Sequence, residues 1–269
     1  MSDLLSYLKH ARDIAQGAGK ILYDRYLKPH DIHYKGEIDL VTEADIASEQ
    51  FIKDSLEEFQ IPVLAEESGS TAALNNNDLI WVVDPLDGTT NFAHGFPWFC
   101  VSIALCKDRK PLLGVIYQPV LKECFWALTG HGAWLNDIQI SPSNTGELNR
   151  ALLATGFPYD IHTNHKDVIG AFKCMILKSQ GIRRAGAAAL DMAYVACGRL
   201  DGFWEIKLKP WDTAAGQVLI EEAGGKVTDF NGKPYDPWIP ELLTSNSLIH
   251  NEMVENLSTF HNIETGDLK

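Results

Sequence analysis

The stretch Trp81-Val-Val-Asp84-Pro-Leu-Asp87-Gly-Thr-Thr-Asn-Phe-Ala-His-Gly95 sets the reading of the rest of the chain. An apolar run, residues 79–83, ends in two carboxylates, Asp84 and Asp87, separated by Pro85 and Leu86. A short β-branched and aromatic run bounded by a turn signal reads as a buried strand. Pro85 has no amide proton to give a ladder, so the strand is expected to stop near Asp84. Gly88 frees the backbone, and Thr89 and Thr90 open a helix start behind it. Carboxylates at a strand end hold a hard divalent cation, and free amides at a helix start receive a phosphate. Asp-Pro and Asp-Gly are also common turn dipeptides, so the tetrapeptide by itself reads equally as a surface turn.

Upstream, Leu4, Leu8, Ala11, Ala15, Ala18 and Leu22 recur at spacings of three and four, one apolar face of a helix over residues 3–27 that Pro29 stops. A glycine-containing loop and a short extended piece over 35–42 lead to a second helix, 44–59, with Phe51, Ile52, Leu56 and Phe59 inward. Thr42 and Asp45 stand at its start, where an acid is favoured by the helix dipole whatever else it does. A strand at 61–64 runs into Ala65-Glu66-Glu67, a second strand stopping on carboxylates. A solvated loop start is the alternative for both acids and the more natural one for Glu67. Residues 71–78 form a polar, asparagine-rich loop.

Downstream, the β runs 101–106, 112–117, 123–128 and 133–136 read as an antiparallel meander whose tryptophans pack. The polar linker 141–149 separates an N-terminal lobe, 1–145, from a C-terminal lobe, 146–269, together one catalytic unit. The second lobe alternates strands at 151–155, 181–184, 202–206 and 226–230 with helices at 166–179, 187–197 and 211–223, the pattern of a sheet covered by helices. Asp212 opens the last of these helices, where capping alone accounts for an acid. Glu205 ends a strand, where a solvated edge charge is the plain account.

Composition narrows the function classes. A formal net charge of -13 argues against an extended nucleic-acid-binding face. The five cysteines are scattered with no C-x-x-C pair, which fits reduced thiols rather than a disulfide frame or a zinc site. The nine histidines read as loop and turn residues without H-x-x-x-H spacing, so no histidine metal site is expected. Residues 1–20 carry charges throughout, and no apolar run reaches membrane-span length, so a soluble cytoplasmic protein is expected. G-x-S-x-G, G-x-x-x-x-G-K-[ST] and strand-linked G-x-G-x-x-G patterns are missing.

Taken together, Glu66, W-V-V-D-P-L-D-G-T-T-N at 81–91, and W-D-x-A-A-G at 211–216 followed by E-A-G-G at 222–225 resemble the inositol monophosphatase family of magnesium-dependent, lithium-sensitive phosphatases. The resemblance runs over about residues 5–250. It implies a mixed α/β fold, the layered αβαβα sandwich of the sugar-phosphatase type, and a homodimer. It implies that Glu66 and Asp84, with the Leu86 carbonyl, hold one Mg²⁺. Asp84, Asp87 and Asp212 then hold a second, and a weaker third sits near Glu66. Asp45 and Thr89 position the attacking water, and the amides of Gly88 and Thr89 receive the phosphate. Gly186, Ala187, Ala188 and Glu205, with Asp212 alongside, line the alcohol part of the substrate.

All-oxygen ligands suit Mg²⁺, and such ions neutralise phosphate, activate water and stabilise the leaving alkoxide. Four crowded carboxylates repel one another without metal, so the metal-free site is expected to be poorly ordered or partly protonated.

Residues 154–158 and 182–191 resemble the bacterial branch. Ala187 stands where many members carry Ser or Thr, and Ala65 where Gly often precedes the Glu pair. Lys35 is one residue nearer Asp39 than its usual counterpart and takes no role. Arg184 and Asp191, linked in some members to the dimer contact, stay outside the expected site. The implied substrate is a small phosphomonoester, first a myo-inositol monophosphate. Fructose 1,6-bisphosphate, histidinol phosphate and 3′-phosphoadenosine 5′-phosphate are the alternatives within the same chemistry. Some bacterial relatives also serve as partners in transcription and ribosomal RNA processing, which implies a second, non-catalytic reading with a transcription-machinery partner. Direct nucleic-acid or membrane binding is not expected.

Overall fold

The computed structural model describes residues 2–28, 32–34, 40–70, 79–163 and 165–259. In chain order the elements are α1 (Ser2–Arg25), β1 (Ile32–Tyr34), β2 (Leu40–Thr42), α2 (Glu43–Leu56), β3 (Val63–Ala65), β4 (Gly69–Ser70), β5 (Leu79–Asp87), α3 (Thr89–Ala93), β6 (Cys100–Lys107), β7 (Lys110–Gln118), β8 (Glu123–Leu128), β9 (Ala133–Leu135) and β10 (Ile138–Gln139). They continue with β11 (Leu152–Thr155), α4 (Lys166–Ile176), β12 (Gly181–Arg183), α5 (Ala188–Ala196), β13 (Gly202–Ile206), α6 (Pro210–Ala223), β14 (Lys226–Thr228), β15 (Glu241–Ser245) and α7 (His250–Thr259).

An eight-stranded sheet has the order β10-β9-β8-β7-β6-β5-β3-β4, and a five-stranded sheet the order β12-β11-β13-β15-β14. Strand alternation turns both sheets into two-sided layers. From β5 and β6, Trp81, Val83, Val101, Ile103 and Leu105 pack with Leu8, Ala15, Leu22, Ile52 and Leu56 of α1 and α2. The intervening Ile80, Val82, Cys100, Ala104 and Cys106 face the other way, onto α5 and α6. Those two helices also cover Ala154, Phe203 and Leu242 of the smaller sheet. Its opposite face, with Leu153, Trp204 and Leu243, packs on Ala171 and Met175 of α4 and Met253 and Leu257 of α7. The result is five layers, αβαβα, as the resemblance implies.

One expectation about the central strand is overturned. β5 does not stop at Asp84 but continues through Pro85 to Asp87. Asp84 pairs with Ser102 and Asp87 with Cys100, so one extra residue is accommodated between them. This is a β-bulge, in which Pro85 owes no ladder hydrogen bond. β15 and α7, which the sequence reading did not foresee, complete the second sheet and its outer layer. The histidine reading is also corrected: His10 lies within α1, and His250 begins α7 and is fully buried. The cysteines are free thiols, with Cys100, Cys106 and Cys124 buried. Among the described residues, no helix is long and apolar enough to cross a membrane. The loop at 71–78 and residues 35–39 lie outside the described residues.

Candidate active site

The bulge decides where the carboxylates point. In a regular strand, residues three apart face opposite sides of the sheet. The extra residue restores the phase: Asp84 and Asp87 oppose Ser102 and Cys100, which share a face, so both aspartates share it too. That face is the one turned toward α5 and α6. β3 runs parallel to β5 with Ala65 opposite Val83, and the Glu66 amide donates to the Val83 carbonyl at 3.2 Å. Glu66 therefore emerges beside Asp84. From the other side, the N-terminus of α6 brings Asp212, and the Ser102 hydroxyl donates to the Trp211 carbonyl at 3.2 Å. All four acids line one cleft of about 510 Å³.

Asp45 serves two purposes at once. Its Oδ2 accepts from the Thr42 amide at 2.8 Å and the Thr42 hydroxyl at 2.6 Å, which caps α2. Its Oδ1 lies 3.0 Å from Thr89 Oγ1, which is also 3.0 Å from the Leu86 carbonyl. A hydroxyl has one proton, so it satisfies only one of those two acceptors. The other needs a proton or a cation. Burial raises the Asp45 carboxyl above its usual range.

Gly88 turns the chain between bulge and helix at φ +92°, and a Cβ there would stand 2.8 Å from the Trp98 carbonyl, so only glycine fits. Opposite it, Gly186, Ala187 and Ala188 form another wall of the cleft. The Asn91 side-chain amide joins the two sides, lying 2.7, 2.9 and 3.2 Å from the carbonyls of Trp98, Ala185 and Gly186. The sequence reading gave Asn91 no part, although it closes the D-G-T-T-N run. Glu205 reaches the cleft from β13. Because β11 and β13 pair in parallel with Thr155 opposite Trp204, Gly156 lies directly against the Glu205 carboxylate.

Electrostatics follow from burial. Asp84 is held well above the usual carboxylate range by burial and then by repulsion from Glu66, Asp87 and Asp212. Burial pushes Asp87 up to about 6, against the stabilising amide of Ala189 at 2.8 Å. It pushes Asp212 to about 7 and, with repulsion from Asp212, Glu205 to about 8. Beneath Glu205, Asp191 is fully buried, and its Oδ1 finds no hydrogen-bond partner among the described residues.

The donor set fits a hard divalent cation, because it is all oxygen, predominantly anionic and mutually repelling. As they stand, no three His, Cys, Asp or Glu side chains among the described residues converge tightly enough to hold one ion. A cation is what offsets the repulsion that keeps carboxylates apart. The cleft therefore gathers Glu66, Asp84, Leu86, Asp87, Gly88, Thr89, Gly186, Ala187, Ala188, Glu205 and Asp212, with Asp45 behind Thr89. It adds three cations that the sequence reading did not assign to the site: Arg184, Lys207 and Lys209.

Comparison with known proteins agrees with this geometry. A profile of the inositol monophosphatase family matches residues 3–262. The inositol-1-monophosphatase of Synechocystis sp. is 42% identical over 261 residues, which is 96% of this chain and 90% of that protein. The Nus factor SuhB of Escherichia coli is 38% identical over 247 residues, 90% of this chain and 92% of that protein. The structure of inositol monophosphatase from Anabaena (Nostoc) superposes with a TM-score of 0.87 at 41% identity, covering 96% of this chain and 97% of that one. With its layers, its bulged aspartate strand and a match over nearly its whole length, the chain belongs to the inositol monophosphatase family, a family of phosphatases.

Proposed function

We propose that the cleft is the active site of a Mg²⁺-dependent phosphomonoesterase that hydrolyses myo-inositol monophosphates to inositol and phosphate. The observation that carries this reading is the bulge, which sets Asp84 and Asp87 on one face beside Glu66 and opposite Asp212. Glu66, Asp84, Asp87, Asp212 and the Leu86 carbonyl are the groups that would hold two Mg²⁺ and a weaker third. Bound Mg²⁺ supplies charge neutralisation and Lewis-acid polarisation of the phosphoryl group.

The chain's own residues do the rest. An ionised Asp45 accepts a hydrogen bond from the Thr89 hydroxyl, which leaves the Thr89 lone pairs to orient the attacking water. The amides of Gly88 and Thr89, at the start of α3 and without intrahelical partners, face the phosphate. Gly186, Ala187 and Ala188 leave room for the polyol, with no hydroxyl at 187 to bind it. Glu205 offers the polyol a carboxyl that burial keeps protonatable near neutral pH.

Phosphate release from inositol monophosphates, fructose 1,6-bisphosphate, histidinol phosphate and 3′-phosphoadenosine 5′-phosphate, with and without Mg²⁺, tests the reading. Fast, Mg²⁺-dependent release from inositol phosphates is expected. Preference for another compound moves the substrate and keeps the chemistry. The similarity to a protein named Nus factor supports a second reading, a partner role in transcription beside catalysis. Rescue of a deletion strain by the inactive Asp87→Asn protein is the result that would show that catalysis is not what the cell requires.

A further inference from the structure

The cleft is polarised in a way that hydrolysis of a neutral alcohol's phosphate does not use. Its floor is acidic and buried: Asp84 and Asp87 are 2% and 9% exposed. Its rim is basic and wet, because Arg184, Lys207 and Lys209 line the cleft and are all exposed, in a chain whose net charge is -13. One carboxylate lining the same cleft, Asp160, forms an ion pair with Lys207.

Lys207 is built into this position. It follows Glu205 by two residues and precedes Asp212 by five, between the wall for the alcohol and the carboxylate cluster. Its φ is +65°, a left-handed conformation unfavourable to any residue with a Cβ. Of the eight non-glycine residues with positive φ among those described, it alone lines the cleft. Its amide donates to the Pro240 carbonyl at 2.6 Å, which fixes the backbone there. Backbone strain held at a site wall points to a function for the side chain it carries.

Across the rim lies the turn that follows β11. Gly156 rests on Glu205, and Arg184 sits 5.4 Å over the Phe157 ring. Asp160 then reaches Lys207, closing the same turn from the other side. Both partners of that ion pair are about 40% exposed, at 41% and 40%, and an ion pair so wet is weak and readily exchanged.

We propose that Lys207, held in check by Asp160, is a specificity-determining residue that admits, beside inositol monophosphates, substrates whose leaving alcohol carries a second anionic group. The acidic floor, with its cations, takes the phosphate that is cleaved. The second anion displaces Asp160 and takes the Lys207 ammonium, with Lys209 and Arg184 adding to the field at the rim. This rests on the phosphatase reading above and names a substrate class for the same cleft.

Steady-state kinetics with Mg²⁺ on inositol 1-phosphate and fructose 1,6-bisphosphate, for the natural protein and rim variants, test it. Lys207→Gln is expected to raise KM for the bisphosphate about threefold to fivefold, the size of one exposed charge contact, and to leave KM for inositol 1-phosphate near its natural value. Lys207→Arg restores the bisphosphate KM, and Asp160→Asn lowers it. Lys207→Gly relieves the positive φ, so it keeps or raises the melting temperature while losing the discrimination, which separates selection from folding.

Equal shifts of both KM values in Lys207→Gln overturn the proposal. So does no shift in either, or a natural protein that turns over inositol 1-phosphate and ignores the bisphosphate. Each of those three results leaves the phosphatase reading standing. Failure of the natural protein to release phosphate from either compound removes both.

Discussion

Asp212 shows how a single side chain serves fold and site together. Its Oδ2 accepts from the Lys209 amide at 2.7 Å, capping α6, and its charge is one of three that raise Asp84. Asp212→Asn keeps an oxygen for the cap and removes the charge. Phosphate release is expected to fall at least about a hundredfold, while the metal-free protein melts higher because a repulsion is gone. A variant with natural turnover removes Asp212 from the metal site. Gly156 makes a steric case of the same kind. A Cβ there would lie 1.9 Å from Glu205 Oε2, so Gly156→Ala must swing that carboxylate away from the polyol. The expected result is a KM for inositol 1-phosphate raised about tenfold or more, with kcat less affected. Kinetics on the purified variant, with a melting curve to show that it folds, check this.

At the scale of elements, α7 hangs on one imidazole. His250 contacts Thr228 of β14 through Nε2 and Ser245 of β15 through Nδ1, each at 2.9 Å. The Thr228 hydroxyl gives its proton to the Asp229 carbonyl at 2.7 Å, so Nε2 must be the donor and Nδ1 accepts from Ser245. Only a neutral imidazole satisfies that network, and burial lowers His250 from the usual 6.5 to about 4. The unfolded chain therefore binds the extra proton first. The stabilisation is complete above pH 6.5 and is lost as pH falls toward 4, with a slope approaching ~1.4 kcal/mol per pH unit. Denaturant unfolding of the natural protein and His250→Gln across that window should show the slope in the first and its loss in the second; parallel curves refute the assignment.

Elements also mark where sequence reasoning worked and where it stopped. The helices α1, α2 and α6 were legible because periodicity and capping residues are local signals. The D-P-L-D-G run was legible as chemistry but misread as geometry. Proline argues for the end of a strand unless a bulge absorbs it, and the bulge depends on the register with β6, which no local pattern carries. β15 was missed because Pro240 precedes a run of only five residues, Glu241–Ser245, whose place is set by pairing with β13 and β14 on either side. The basic rim was missed because Arg184, Lys207 and Lys209 meet only once β12, β13 and the start of α6 are folded together.

For the whole molecule, the central layer formed by α5 and α6 joins the two sheets, so the site exists only when both halves are folded. Asp84 and Asp87 come from the first sheet and Glu66 from the turn that follows its strand β3, with Asp212 and Glu205 from the second half. Without metal, Asp87, Asp212 and Glu205 carry raised values of about 6, 7 and 8. The folded protein then holds protons that the unfolded chain releases. This contribution to stability is present below the ordinary carboxylate values of 3.8 and 4.5 and is lost as pH rises through 6 to 8.

Metal-free protein should accordingly melt higher at pH 6 than at pH 8, and saturating Mg²⁺ should remove that difference by stabilising the ionised carboxylates. Mg²⁺ at about a hundred times its Kd adds about 2.7 kcal/mol. For a chain of 269 residues that is a rise of about 5 °C. Because the ligands span both sheets, the rise should appear in a single transition seen alike by tryptophan fluorescence and far-UV circular dichroism. Asp212→Asn should lose most of it. Two transitions, only one of them moved by Mg²⁺, would mean that the first sheet holds the ion without α6.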